Sequence, residues 1–452
     1  MSVVSNQGQG LKPLTHARIL AIALPIMLSN ASVPLVGLSD TFVMGRLGGQ
    51  GLIGGVGFAV TVLTMVFWFF NFFRHSTTAY MAQALGRGDQ DEQSLIVWRN
   101  GLAAAVIGVL LLALQWPIAE VGFWLMHSQT ELVNQTARAY YDIRIWSAPF
   151  VLANYVVMGV LIARQRSGAV LMTQLALNLS NIGLNILLGI ELGWGVQGVA
   201  WASVFSTFLA TAIGLCFLFG EGFVRSRLPS ATQFFDFLYW RRAAGNARDL
   251  AIRVIFLELA FAIFERRMDA YGPTTLDAAI ALAQLINVTA FFIDGFAFAT
   301  ESYVGESIGA KKRRRFWRAF WMTTLWANVA AVMLALFLWV FGETLLLHIS
   351  GSAVLTERGM HFMLWVVIMP LVSVWAYQLD GAYIGASETI EMRNQMLLSF
   401  GVYLLVMLVA EPMMGVHGLW LAFAMFNATR GVTLFWRMPA LERRAGLLAA
   451  PR

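Results

Sequence analysis

A single cysteine, Cys216, rules out an internal disulfide and leaves the redox compartment unmarked. Charge is scarce as well: Asp, Glu, Lys and Arg make up 12% of 452 residues, against roughly 25% in a soluble domain, so a water-soluble fold is excluded. The six histidines are scattered and none has another four positions away, so no metal pair at helical spacing is expected. There is no G-x-x-x-x-G-K-[ST] loop, which argues against ATP as an energy source within the chain. No nucleophile beside a base is evident, so neither an enzyme nor a bound metal or cofactor is expected.

What remains is apolar. Hydrophobic residues reach 58% and mean hydropathy is +0.68, which together identify a polytopic membrane protein. Apolar runs near 20 residues recur about twelve times, each long enough to cross a hydrocarbon core of about 30 Å as a helix. A barrel would show short alternating strands instead. The polar leader MSVVSNQGQGLKPLTHAR lacks a small-residue cleavage site and is expected to stay on the chain. Most of the 31 Lys and Arg fall on one side of the spans, which predicts an inner-membrane protein with both termini in the cytoplasm. The net charge of +6 therefore reads as membrane topology, with lipid as the partner and nucleic acid excluded. The run from Lys311 to Arg315 fits an anchor on anionic lipid.

The chain repeats itself. Tyr80 and Gly86 align with Tyr303 and Gly309, Gly159 of GVLIA with Gly381 of GAYIG, and Gly195 of GVQG with Gly415 of GVHG, at offsets of 220 to 223 residues. Six spans per half is an even number, so both halves enter from the same side. The expected fold is all-α, with twelve transmembrane helices in two six-helix lobes related by a parallel pseudo-twofold and a substrate cavity between or within them. The predicted boundaries are 1–219 for the N-lobe, 220–249 for a cytoplasmic linker and 250–452 for the C-lobe.

Polar residues inside the spans are the functional candidates. An ionised Asp at mid-span costs roughly 2.5–3.5 kcal/mol on the lenient insertion scale, so Asp40 should face a protein interior or a wet cavity. Burial there disfavours its charged form. Pro25, about 22 Å earlier at 1.5 Å per residue, removes a backbone donor and marks a hinge. Asn178, Asn181 and Asn185 in LNLSNIGLNILLG share one helical face. They serve either as interhelical glue or, with Ser203, as a polar cavity wall opposite Asp40. Arg74 sits three turns inside the second span and either snorkels or pairs with an acid. Glu258, Asp294 and Asp380 are the acids of the second half.

The segments LPIMLSNASVPLVGLSDTFVMGRLG, FFRHSTTAYMAQALG, IDGFAFATESYVGESIGA and LDGAYIGASETIEMRN resemble the multidrug and toxic compound extrusion (MATE) transporters, in their DinF-like branch, over almost the whole chain. The resemblance implies a two-lobe, monomeric antiporter that exports bulky, often cationic, organic molecules in exchange for H⁺ or Na⁺. Pro25 then matches the family's first-helix kink and Asp40 its N-lobe coupling carboxylate, while Asn181, Asn185 and Ser203 fall where the family lines its N-lobe cavity. Archaeal-type relatives have a carboxylate where this chain has Asn185, so a two-acid N-lobe site is not expected. Glu258 and Asp380 fall where another branch places C-lobe cation-binding acids, and Asp294 completes that candidate group. The rival within the superfamily, a lipid-linked precursor flippase, would favour an arginine-rich cavity for pyrophosphate.

Overall fold

A computed structural model describes residues 11, 13–46, 52–125, 130–220 and 230–448. The described chain is helical. In order it forms α1 (His16–Ala31), α2 (Val33–Arg46), α3 (Leu52–Phe69), α4 (Phe72–Arg87), α5 (Gln90–Ala113), α6 (Gln115–Leu125), α7 (Glu131–Arg144), α8 (Ala148–Ala163) and α9 (Ser167–Leu184). A π-helical turn (Asn185–Glu191) follows. Then come α10 (Gly195–Gly220), α11 (Ala231–Phe234), α12 (Phe237–Asp269), α13 (Pro273–Gly309), α14 (Arg313–Ser350), α15 (Ala353–Met360), α16 (Met363–Gly385), α17 (Thr389–Met414) and α18 (Val416–Arg444).

Among these, nine helical stretches are long and apolar enough to cross a membrane. Three more complete the expected twelve: α1 with α2, which Ser32 interrupts, and α12 and α18, whose hydropathy is lowered by residues such as Arg253 and Arg430. Of the predicted linker, residues 221–229 lie outside the described residues. From Phe237 onward the segment is the first part of α12.

The chain divides into two compact units. One gathers the described parts of Met1–Met27, Ala82–Asp89 and Arg241–Arg452, the other Leu28–Met81 and Gln90–Trp240. Lipid tails are as apolar as leucine, so helices in a bilayer are held by close packing and interhelical hydrogen bonds rather than by expulsion from water. The larger unit packs Phe264 against Trp420 with ring centroids 4.8 Å apart, beside Phe423 and Phe426. The other packs Tyr140, Tyr141, Ile145 and Leu152, all fully buried.

The repeat is written in the backbone. Gly88 and Lys311, Gln165 and Ser387, and Gly195 and Gly415 form three pairs 220 to 223 residues apart, and all six residues have positive φ. Gly159 approaches the Arg74 carbonyl so closely that a Cβ would lie 2.7 Å from it, and Gly381 approaches the Ala297 carbonyl likewise at 2.4 Å. The Asn100 amide donates to Thr77 Oγ1 at 2.9 Å, and the equivalent Thr300 and Thr323 hydroxyls are 2.7 Å apart. Within the larger unit, the equivalent Gly86 and Gly309 face each other's helices. A Cβ on either would fall 2.1 or 2.0 Å from a backbone oxygen, so only glycine permits that crossing of α4 and α13.

Candidate functional site

α1 includes Pro25, the expected hinge, and the helix is interrupted further on, at Ser32. There the Ser32 hydroxyl donates to the Ser29 carbonyl at 2.6 Å and the Ser32 amide reaches the same oxygen at 3.2 Å. A serine side chain that bonds the backbone three residues back competes with the helical ladder. The Ser32 oxygen also accepts from Asn178 Nδ2 at 2.5 Å, which ties the break to α9.

Past the break, α2 presents Asp40 to the end of α9. Asn185 Nδ2 donates to Asp40 Oδ1 at 2.5 Å and to Asn181 Oδ1 at 3.1 Å, and lies 3.5 Å from Ser39 Oγ. Asn181 Nδ2 in turn donates to Ser203 Oγ at 3.0 Å and reaches Ser206 Oγ at 3.4 Å on α10. Asn178, Asn181, Asn185 and Ser203 are all buried. The amide stripe therefore runs inward as its spacing predicts, and it splits in two: Asn178 holds Ser32, whereas Asn181 and Asn185 connect Asp40 to the serines.

Sequence reasoning missed several members. The Tyr140 side chain, fully buried on α7, lies close to Ser203 and Arg144 and in the field of Asp40. Arg144 also contacts Ser147 and acts on Asp40 at longer range. Among the described residues no ion pair within 4.0 Å includes Asp40, so its closest polar partner is a neutral amide. Asn185 Oδ1 is buried with no hydrogen-bond partner. Asn185 also opens the π-helical turn, a departure from the α-helix frequent at functional sites. The turn packs tightly: a Cβ on Gly198 would lie 2.5 Å from the Leu188 carbonyl. Arg74 is buried, with Nη2 3.0 Å from the His75 ring nitrogens, and shares the surroundings of Tyr155 with Arg144.

The three acids of the second half do not form one group. Glu258 is exposed on α12, and its charged neighbour is Glu265. Asp380 is buried on α16, where its Oδ2 accepts from Arg253 Nη2 of α12 and, at 2.6 Å, from Arg430 Nη2 of α18. Asp294, half-buried on α13, meets this cluster through Tyr377, which lies in the fields of Asp294, Arg430, Asp380 and Arg253. A mid-span arginine is as informative as a mid-span acid. Arg253 and Arg430, each at the midpoint of its helix, were legible by that criterion.

A carboxylate held by a neutral amide among hydroxyls can take a proton, a monovalent cation or an organic cation. One clamped by two guanidiniums has its negative charge already compensated. The first geometry suits ion exchange.

Comparison with known proteins agrees with this architecture. The MatE family model matches twice, over residues 25–187 and 250–410. The chain is 32% identical to DNA damage-inducible protein F of Escherichia coli (strain K12) over 425 residues, covering 92% of this chain and 91% of that protein. It is 23% identical to Protein DETOXIFICATION 44, chloroplastic, of Arabidopsis thaliana, covering 93% and 81%. In fold it is similar to an outward-facing multidrug resistance MATE family transporter of the MOP superfamily, with a TM-score of 0.84, 18% identity and coverage of 95% and 97%. It is also similar to a MOP superfamily transporter from Pyrococcus furiosus, with a TM-score of 0.82, 18% identity and coverage of 94% and 96%. The chain belongs to the MatE family of multidrug and toxic compound efflux transporters and is a DinF homologue.

Proposed function

We propose that this MatE-family chain is a monomeric, proton-coupled antiporter of the inner membrane that exports bulky cationic organic compounds, with both termini in the cytoplasm. Asp40 is the coupling carboxylate. The observation that supports this is its bonding: Asp40 Oδ1 accepts from Asn185 inside a network of amides and serines, with no guanidinium in contact among the described residues. A carboxylate so placed exchanges a proton for an organic cation without first breaking an internal salt bridge. Arg144 acts on it from farther away and limits how firmly either cation is held. Asn181, Asn185 and Ser203 line the cavity wall, and the break at Ser32 passes the change of charge along α1.

Dye efflux from proteoliposomes under a pH gradient tests the reading. Wild-type protein should export a cationic dye, and Asp40→Asn, which keeps the shape but cannot ionise, should lose at least ten-fold in rate while folding normally. Full pH-driven efflux by Asp40→Asn would overturn it. Sodium is the second reading, favoured by the buried, unpartnered Asn185 Oδ1 beside Asp40, an oxygen that a metal cation would seek. A Na⁺ gradient at uniform pH that drives the same efflux would decide for it.

A further inference from the structure

The efflux reading leaves the Arg253, Asp380 and Arg430 cluster without a role. Its charges are dear to keep in a membrane, where ionisable residues pair with one another or mark a substrate path. Stability alone is a weak reason for them, because buried ionic triads can be replaced by well-packed apolar residues without loss. Nor is the geometry that of the firmest structural pair. An arginine grips a carboxylate best with two parallel N–H bonds to two oxygens. Here both Nη2 atoms converge on one oxygen, Asp380 Oδ2, so neither fork takes the carboxylate edge-on through that contact. Arg430 is steadied from behind by Asn427, whose Oδ1 accepts from Nη1 at 3.2 Å, and by the Phe426 ring at 5.7 Å. Two oriented guanidiniums therefore share a single small internal anion.

We propose that Arg253 and Arg430 form a binding site for a carboxylate or phosphate group, and that Asp380 occupies it as an internal stand-in which the ligand displaces. A ligand with two or more oxygens fits two forks better than one shared oxygen does. Asp294 and Tyr377 border the same site, and Asp294 adds negative charge that keeps the empty site from holding ligand too tightly. The cargo class is then widened to compounds bearing an acidic group. That this anion is cargo rests on the efflux reading; the binding itself does not.

The test is equilibrium binding to the purified full-length protein in detergent, with no gradient, so a failure of the Asp40 experiment leaves it untouched. Phthalate is the soluble probe and phosphatidylglycerol the lipid probe, with phosphatidylcholine as the neutral control. Phthalate should raise the melting temperature of wild-type protein. Asp380→Asn removes the internal competitor and should bind at least ten-fold tighter, and Arg253→Gln added to it should abolish the gain. Stabilisation by phosphatidylglycerol but not phthalate identifies a lipid headgroup as the source of the anion, and stabilisation by phthalate identifies a free organic acid. Tightening in neither arm overturns the proposal. If Asp380→Asn does not fold, wild-type protein carries the test through phenylglyoxal modification mapped to Arg253. One of the two anions must slow it, and no protection by either overturns the site.

Discussion

The two halves of the repeat share a scaffold and divide the chemistry. At the 222-residue offset, Asn185 corresponds to Met407 and Asp380 to Met158, and at 220 residues Arg430 corresponds to Ala210. Each half thus carries charge or amide where the other carries an apolar residue, although their glycine contacts and positive-φ turns coincide. The environments differ in kind: Asp40 meets a neutral amide, and Asp380 meets two arginines. Duplicated backbone contacts hold a fold twice over, whereas each of these polar clusters occurs in one half alone.

The sharpest way to break this contrast is to remove one partner from each cluster. Arg430→Met strips Asp380 of one of its two guanidinium partners while Arg253 stays on the same oxygen, and should cost about 1.5–3 kcal/mol, the worth of a hydrogen bond to a charged group. Asp40→Asn keeps its hydrogen bonds and should leave the melting temperature close to that of wild type. Equal loss in the two variants, measured by thermal unfolding in detergent, would erase the distinction.

A smaller effect belongs to the shared scaffold. Gly309→Ala forces a Cβ onto the Gln83 carbonyl at 2.0 Å, and overpacking of this kind costs typically about 1–3 kcal/mol. Gly86→Ala should match it, because the two contacts mirror each other. A tolerated alanine at either site would show that the helices part easily there.

The amides come next. Asn181→Ala should cost about 0.6 kcal/mol for each interhelical bond lost and alter which dyes are exported. Unchanged dye preference with lowered stability would assign Asn181 to glue rather than to a cavity wall.

The smallest change tests the equivalence of the halves directly. Gln165 and Ser387 both hold left-handed φ near 60°. Replacing either by glycine relieves roughly 1–2 kcal/mol of strain but adds a comparable loss of chain freedom on folding. Both variants should therefore stay within about 1 kcal/mol of wild type and close to each other, and a large difference between them would show that the repeat is not energetic.

Apolar run length and repeated glycines made the twelve spans legible, because those signals are local and periodic. The network of Asp40, Asn181, Asn185 and Ser203 was legible from spacing on one helix face together with the cost of burying polar atoms. What escaped has a common cause. Arg253 and Arg430 lie within apolar runs and drew no reading of their own, and their meeting at Asp380 depends on three helices far apart in sequence. The break at Ser32 escaped because proline is a louder signal than serine, even though a serine that bonds its own backbone can also interrupt a helix.

The π-helical turn carries a lesson in counting. From Ser167 to Gly195 the first half spends two more residues than the second half spends from Thr389 to Gly415. In the second half α17 runs unbroken to Met414. In the first half the Leu192 amide reaches back five residues to Leu187, and the Trp194 amide six to Leu188. A wider turn takes up more sequence for the same advance, so the surplus is stored as slack beside Asn185 instead of lengthening the helix. Such slack is a reserve of register. Tightening the turn to an α-helix would rotate Asn185 relative to α10, so a one-residue deletion within 186–190 offers a way to turn the Asp40 partner without changing its identity.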